Sequence, residues 1–593
     1  MKRFIIAIVF FVCAGTVLGQ GDMWITHYEE SGFLETANYE EVIRYSKLLA
    51  EHSPIISYSS YGSSPQGREM PLLIIDKNEN FDPASVMASG NAIFFIQAGI
   101  HPGEADGTDA VLMLMRDIAI NKKQFELLDN VTFLIIPAFN VDGLGRFGPY
   151  NRINQKGPKE MGWRSTAQNL NLNRDYLKAD APEMIAWLKV FNEWLPDFFV
   201  DCHTTDGADY QYVLTYMMEI FGNMDQGLTD WQRDIFLPFV HEKMDEAGYP
   251  INQYVSFRRW HDPRSGLVSG TSSPRLSNGF SAIQNRPCLL IESHVLKPHK
   301  IRVEGTYYLL QYTAELLNDR KDELMALNQK ADEISASPAF RQDPLPVAFR
   351  RSTKDSVMVE FKGVEYSADK SDLTGGIWFK YSDIPVTFTL PWFNKSIPSV
   401  TVELPEAYII PPEWIAVIDR IELHGIDFVV LDKEVELEVK TYHFKDPKWR
   451  NSPYEGRHAM SNIDYDEITE TRTYPVGSVL IDMNQRSSRV IAHILEPRAE
   501  DSYVYWGFFD AAFEQKEYSE TYKMEPMARE MLANDEELRK EFEKKRAEDE
   551  GFNKSQWVML NWLYQRTPYW DQKKDKYPVV KIYDREVILQ LQD

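Results

Sequence analysis

Three short apolar runs in this chain each lead to a side chain that can bind a metal ion or move a proton. Ala92-Ile93-Phe94-Phe95-Ile96 precedes Ile100-His101-Pro102-Gly103-Glu104, Phe198-Phe199-Val200 precedes Asp201-Cys202-His203, and Cys288-Leu289-Leu290-Ile291 ends in Glu292. Runs this short, with no polar alternation, read as strands buried on both faces. Between and around them the sequence predicts a helix over 107–120, a strand over 131–137, a long loop over 140–175, a helix over 182–195 with Pro182 at its start, and a helix from 301 to about 327. Strands alternating with helices imply an α/β fold: a mostly parallel (mixed) sheet with helices on both faces. In such sheets ligands gather at the carboxyl ends of the strands, where the chain places His101, Glu104, His203 and Glu292.

A neutral imidazole nitrogen from each His and an oxygen from Glu104 make a donor set suited to zinc with an open coordination position. Cys202 is disfavoured as a ligand, because side chains alternate along a strand and its own turns away from that of His203. In the long loop, Asn173-Arg174 joins an amide donor to a planar guanidinium that matches a carboxylate.

The ordered set His101/Glu104, Asn140-Val141-Asp142-Gly143, Trp163-Arg164, Asn173-Arg174, His203 and Glu292 resembles the zinc carboxypeptidases of the carboxypeptidase A type, the M14 family, over roughly residues 38–320. The resemblance implies one zinc ion in the catalytic domain, held by His101, Glu104 and His203. It also implies Glu292 as general base and then acid, Arg164 as the cation that stabilises the oxyanion, and Asn173 and Arg174 as the grip on a substrate's free C-terminal carboxylate. The family usually carries a substrate-capping Tyr upstream of the catalytic Glu, and Gly266–Ile291 contains none. Tyr254 could serve instead, or Arg275 could take part of the binding. Structural readings compete at each position. His203 could bond to Asp201 or Asp206, Glu292 could pair with Arg286 or His294, Arg146 and Arg152 rival Arg164, and Asn173-Arg174 could cap a loop.

Met1–Gly19 reads as a secretory leader, with Lys2 and Arg3 before the apolar run Phe4–Val12. This places the mature protein outside the cytoplasm, and Val12 makes lipidation at Cys13 an unfavoured alternative. The remaining cysteines, Cys202 and Cys288, are expected as buried free thiols. No later segment is apolar enough to span a bilayer, and no large activation segment fits before residue 38. A formal charge of −25 excludes a nucleic-acid duplex or an anionic membrane as partner. The length of 593 residues fits several domains. The expected division is a leader 1–19, a catalytic domain 20–335, a β-rich region 346–500 and a mixed, helical and aromatic-rich segment 501–593. Strands are expected near 357–361, 387–390, 435–439, 478–481 and 490–495, helix over 525–550, and packing of the aromatic tail 557–570 onto a domain. Three activities remain open: trimming of peptides, the same zinc chemistry on cell-wall stem peptides or another amide, and an inactive binding protein.

Overall fold

The computed structural model describes residues 22–592, so the expected leader and Cys13 lie outside the described residues. An eight-stranded mixed sheet carries the site. From one edge its order is Ile56–Ser63, Glu69–Ile75, Val131–Ile136, Ala92–Gln97, Phe198–Thr205, Cys288–His294, Leu214–Met217 and Ile251–Gln253. The four strands from Val131–Ile136 to Cys288–His294 run parallel, with antiparallel neighbours on both sides.

The strand Ala92–Gln97 shows how the sheet divides two cores. Phe94 and Ile96 face helices Tyr39–His52, Asp106–Ala119 and His299–Ala336, whereas Ile93 and Phe95 face helix Pro182–Trp194. This is the two-residue period of a strand buried on both sides. Phe95, Trp187 and Phe191 stack in series, with ring centroids 5.8 and 5.1 Å apart. The same core continues into the C-terminal half, where Tyr408, Ile410, Ile421 and Ile491 pack against it. The sheet and the later β-rich region therefore share one apolar interior. Helices Asp106–Ala119 and Pro182–Trp194 fall within a residue of expectation, and the long helix runs further, over His299–Ala336, with a kink at Arg320.

Beyond residue 344 a six-stranded sheet is built from Val429–Val430, Val479–Asp482, Ala407–Ile410, Val580–Ile582, Val435–Trp449 and Met460–Tyr474. A second, four-stranded sheet joins the hairpin Val357–Lys370/Ile377–Phe393 to Asp262–Val268 and Ser256–Arg259. The expected strand at 490–495 is instead the buried helix Ser488–Leu495. Val490, Ile491, Ile494 and Leu495 recur at i, i+1, i+4 and i+5, the spacing of one helix face, with Arg489 and His493 off it. The tail packs through Met524, Ala528, Leu563 and Tyr564, with Trp562 and Trp570 against them. Among the described residues no helix is long and apolar enough to cross a membrane, and Cys202 and Cys288 are free and buried.

Candidate active site

His101 and Glu104 follow the strand Ala92–Gln97, and His203 and Glu292 lie opposite each other near the carboxyl ends of two adjacent parallel strands. His101, Glu104 and His203 each offer one ligand atom, and these atoms lie within 4.8 Å of one another. All three residues are buried.

Hydrogen bonds decide which ring nitrogen faces the cluster. His101 Nε2 donates to Asn171 Oδ1 at 2.8 Å, and His203 Nε2 donates to Asp201 Oδ2 at 2.8 Å. Both outer nitrogens are thereby committed, and each Nδ1 faces the other ring and Glu104, where a metal would take its lone pair. Glu104 Oε2 accepts from the Thr204 backbone, while Oε1 accepts from Arg152 and Arg164 at 2.8 and 2.9 Å. Burial alone would raise the Glu104 pKa, but His101 and Arg152 hold it below the usual carboxylate range. Burial lowers His101 to about 4; burial also pulls His203 down, but Asp201, Glu104 and Glu292 together raise it to about 10. Two oriented imidazoles and an ionised carboxylate, each fixed from behind, fit a zinc ion by donor type and by outer support.

The cluster opens into a cleft of about 610 Å³ that also includes Glu292, Arg152, Arg164, Asn173, Arg174 and Tyr254. Glu292 Oε2 is buried with no hydrogen-bond partner. Removal from water raises its pKa, His203 opposes this and Glu104 adds to it. The structural alternatives for Glu292 are taken elsewhere: Arg286 pairs with Asp332, and His294 bonds to the Ala208 carbonyl. Arg174 lines the cleft. Asn173 does so with its amide partly engaged, Nδ2 lying 3.2 Å from His203 Nε2 and Oδ1 accepting from the Ser277 backbone at 3.1 Å. Of the rival cations, Arg146 lies over the Trp163 ring at 3.8 Å and is absent from the cleft wall, whereas Arg152 shares Glu104 with Arg164.

Arg275 does not line this cleft. Its Nε pairs with buried Asp501 at 2.7 Å, and its guanidinium lies over Tyr505 and Trp506. The expectation that Arg275 contributes to substrate binding is therefore corrected: its charge neutralises a carboxylate of the C-terminal half. Arg152 had signalled itself only as a rival to Arg164, and nothing near Asn171 marks it as a partner of His101 except its place two residues before Asn173. A larger groove, about 810 Å³, lies on the C-terminal half and shares no lining residue with the cleft.

The mixed sheet thus brings a two-imidazole, one-carboxylate cluster to its strand ends as a candidate metal site. Residues 42–213 match the family model described as zinc carboxypeptidase, Peptidase M14. Carboxypeptidase 2 of Trichophyton rubrum is 21% identical over 477 residues, covering 78% of this chain and 82% of that protein. Carboxypeptidase B of Astacus astacus is 27% identical over 141 residues, covering 23% of this chain and 44% of that protein. A metallo-carboxypeptidase structure from Burkholderia cenocepacia shares 19% identity with a TM-score of 0.35, covering 48% of this chain and 69% of that one.

Proposed function

We propose that the protein is an extracytoplasmic zinc carboxypeptidase that hydrolyses the last peptide bond of substrates with a free C-terminal carboxylate. The observation that carries this reading is the meeting, in one cleft, of the His101–Glu104–His203 cluster, the unpartnered Glu292 oxygen and the Arg174 guanidinium.

His101 Nδ1, His203 Nδ1 and a Glu104 oxygen would hold the ion. Zinc bound there supplies a Lewis acid and brings water toward ionisation near neutral pH. Glu292 Oε2, raised in pKa by burial, accepts a proton from water and passes it to the departing amine. Arg164, its side chain 44% exposed and reaching the cleft, supplies positive charge where the scissile carbonyl gains negative charge. Arg152 adds a second cation at the same wall. Arg174 recognises the carboxylate and so restricts cleavage to the chain end. Tyr254 lines the cleft where the family's upstream Tyr is missing.

The test is mass spectrometry of a mixed pool of peptides and cell-wall muropeptides after incubation with the zinc-loaded protein, beside Glu292→Gln. Single-residue losses from free C termini, absent with the variant, are expected. Cleavage confined to muropeptides would move the substrate to cell-wall stem peptides, and no cleavage of either pool would overturn the enzymatic reading.

A further inference from the structure

One contact of the C-terminal half leads directly to the candidate metal cluster. The long hairpin Val435–Trp449/Met460–Tyr474 is closed by a loop whose tip, Tyr454–Arg457, lies against the segment 170–180 that carries Asn171, Asn173 and Arg174. Glu455 Oε2 accepts the Asn171 backbone N–H at 2.9 Å. Asn171 Oδ1 in turn meets His101 Nε2 at 2.8 Å and accepts the Asn173 backbone N–H at 3.0 Å. Two hydrogen bonds thus connect a residue of the hairpin loop to a candidate metal ligand, and the same Asn starts the turn that presents Asn173 and Arg174 to the cleft.

The loop is gripped just after Glu455. Arg457 makes a two-pronged contact with Asp180 at 2.6 and 2.7 Å; burial would raise the Asp180 pKa, but Arg457, Lys178 and Arg420 together hold it at about 2. At Gly456 a Cβ would come within 3.2 Å of the Leu170 side chain, so the two segments meet closely.

The backbone at Glu455 has φ of +49°, and Gly456 follows at +79°. Positive φ suits glycine or asparagine and disfavours a glutamate. A side chain held in an unfavourable conformation within a site-supporting contact points to a use for that side chain, and among the described residues the Glu455 carboxylate accepts a hydrogen bond from Asn171 alone.

We propose that Glu455 is a positioning residue of the active site: by holding Asn171 it fixes the His101 ring and the Asn173–Arg174 turn. This rests on the proposed function for its kinetic consequence but not for its effect on metal binding. It also assigns the β-rich half a direct part in the site.

The experiment uses the full chain with Glu455→Gly and Glu455→Gln. Glycine removes the acceptor and relieves the backbone, whereas glutamine keeps a carbonyl oxygen within reach. Zinc affinity is read by competition with a chelating dye, KM and kcat with a blocked dipeptide bearing a free carboxylate, and Tm by calorimetry. Groups that orient metal ligands typically contribute 10- to 100-fold to affinity, and one bond further out roughly three- to tenfold is expected. Glu455→Gly should therefore weaken zinc binding and raise KM by roughly that factor while Tm stays level or rises, and Glu455→Gln should stay close to the parent. Zinc affinity and KM within twofold of the parent in Glu455→Gly would overturn the inference. A matching collapse of Tm would assign the residue to folding and overturn it equally. If the parent cleaves no peptide, the proposed function fails, and the zinc measurement alone still decides the role of Glu455.

Discussion

Replacing Asp201 by Asn tests the logic of the metal cluster most directly. Asp201 is fully buried. Its Oδ2 accepts from His203 Nε2 at 2.8 Å, and its Oδ1 accepts from Gln97 Nε2 at 2.9 Å. Gln97 Nε2 is also 3.0 Å from the Tyr176 hydroxyl, which anchors that donor. An Asn at 201 meets the Gln97 donor with its own oxygen and turns its NH₂ toward His203 Nε2. The ring then carries its proton on Nδ1, the atom that faces Glu104 at 3.0 Å and that a metal requires unprotonated. Loss of an outer-shell partner typically costs 10- to 100-fold in metal affinity, and the wrong tautomer places this case at the upper end, about 2.7 kcal/mol. Zinc affinity measured by chelator competition should fall by about that factor in Asp201→Asn, with secondary structure by circular dichroism unchanged. Adding Gln97→Met removes the competing donor, frees the amide to present its oxygen to His203, and should recover part of the loss. A single variant that binds zinc within threefold of the parent would refute the argument that Asp201 sets the His203 tautomer.

Arg174→Ala should raise KM for peptides with a free carboxylate by roughly 10- to 100-fold, the scale of a charge-assisted hydrogen bond. Peptides ending in an amide should be unaffected, so equal losses on both would remove Arg174 from the carboxylate grip. Arg275→Met leaves Asp501 buried without its cation, and on the order of 3–5 kcal/mol of stability should be lost; zinc affinity measured below the transition should stay within twofold. Glu183 gives a pH-dependent case. Both its oxygens are buried without partners, and burial pushes its pKa up to about 7. A carboxyl raised in the folded state costs nothing below its unfolded pKa near 4.5, and stability falls as pH rises through 7. Glu183→Gln should therefore match the parent at pH 4 and exceed it at pH 8 by no more than about 3 kcal/mol, and a urea midpoint difference that does not grow over this range would contradict that.

The parts of the site that the sequence displays are those in which one strand carries its own functional residue. His203 and Glu292 sit within the strands that deliver them, and His101 and Glu104 follow theirs by a few residues, so an apolar run and its end were enough to place all four on one sheet edge. The apolar patterns of Ala92–Gln97 and Phe198–Thr205 also announced burial on both faces. They could not say what covered the second face, which is shared here with Tyr408, Ile421 and Ile491 of the C-terminal half. The helix Ser488–Leu495 does carry a helical period, Val490, Ile491, Ile494 and Leu495, but two turns starting inside a run of β-branched residues also match the texture of a strand. Arg275 was misassigned because a guanidinium's role depends on which carboxylate it finds, and Asp501 is 226 residues away. Glu455 lies 284 residues from Asn171 in a stretch that reads as an ordinary turn. Sequence pattern thus reports what a residue is attached to locally. The orientation of His101, and with it the geometry a metal would meet, depends on hydrogen bonds closed only when the β-rich half packs against the sheet.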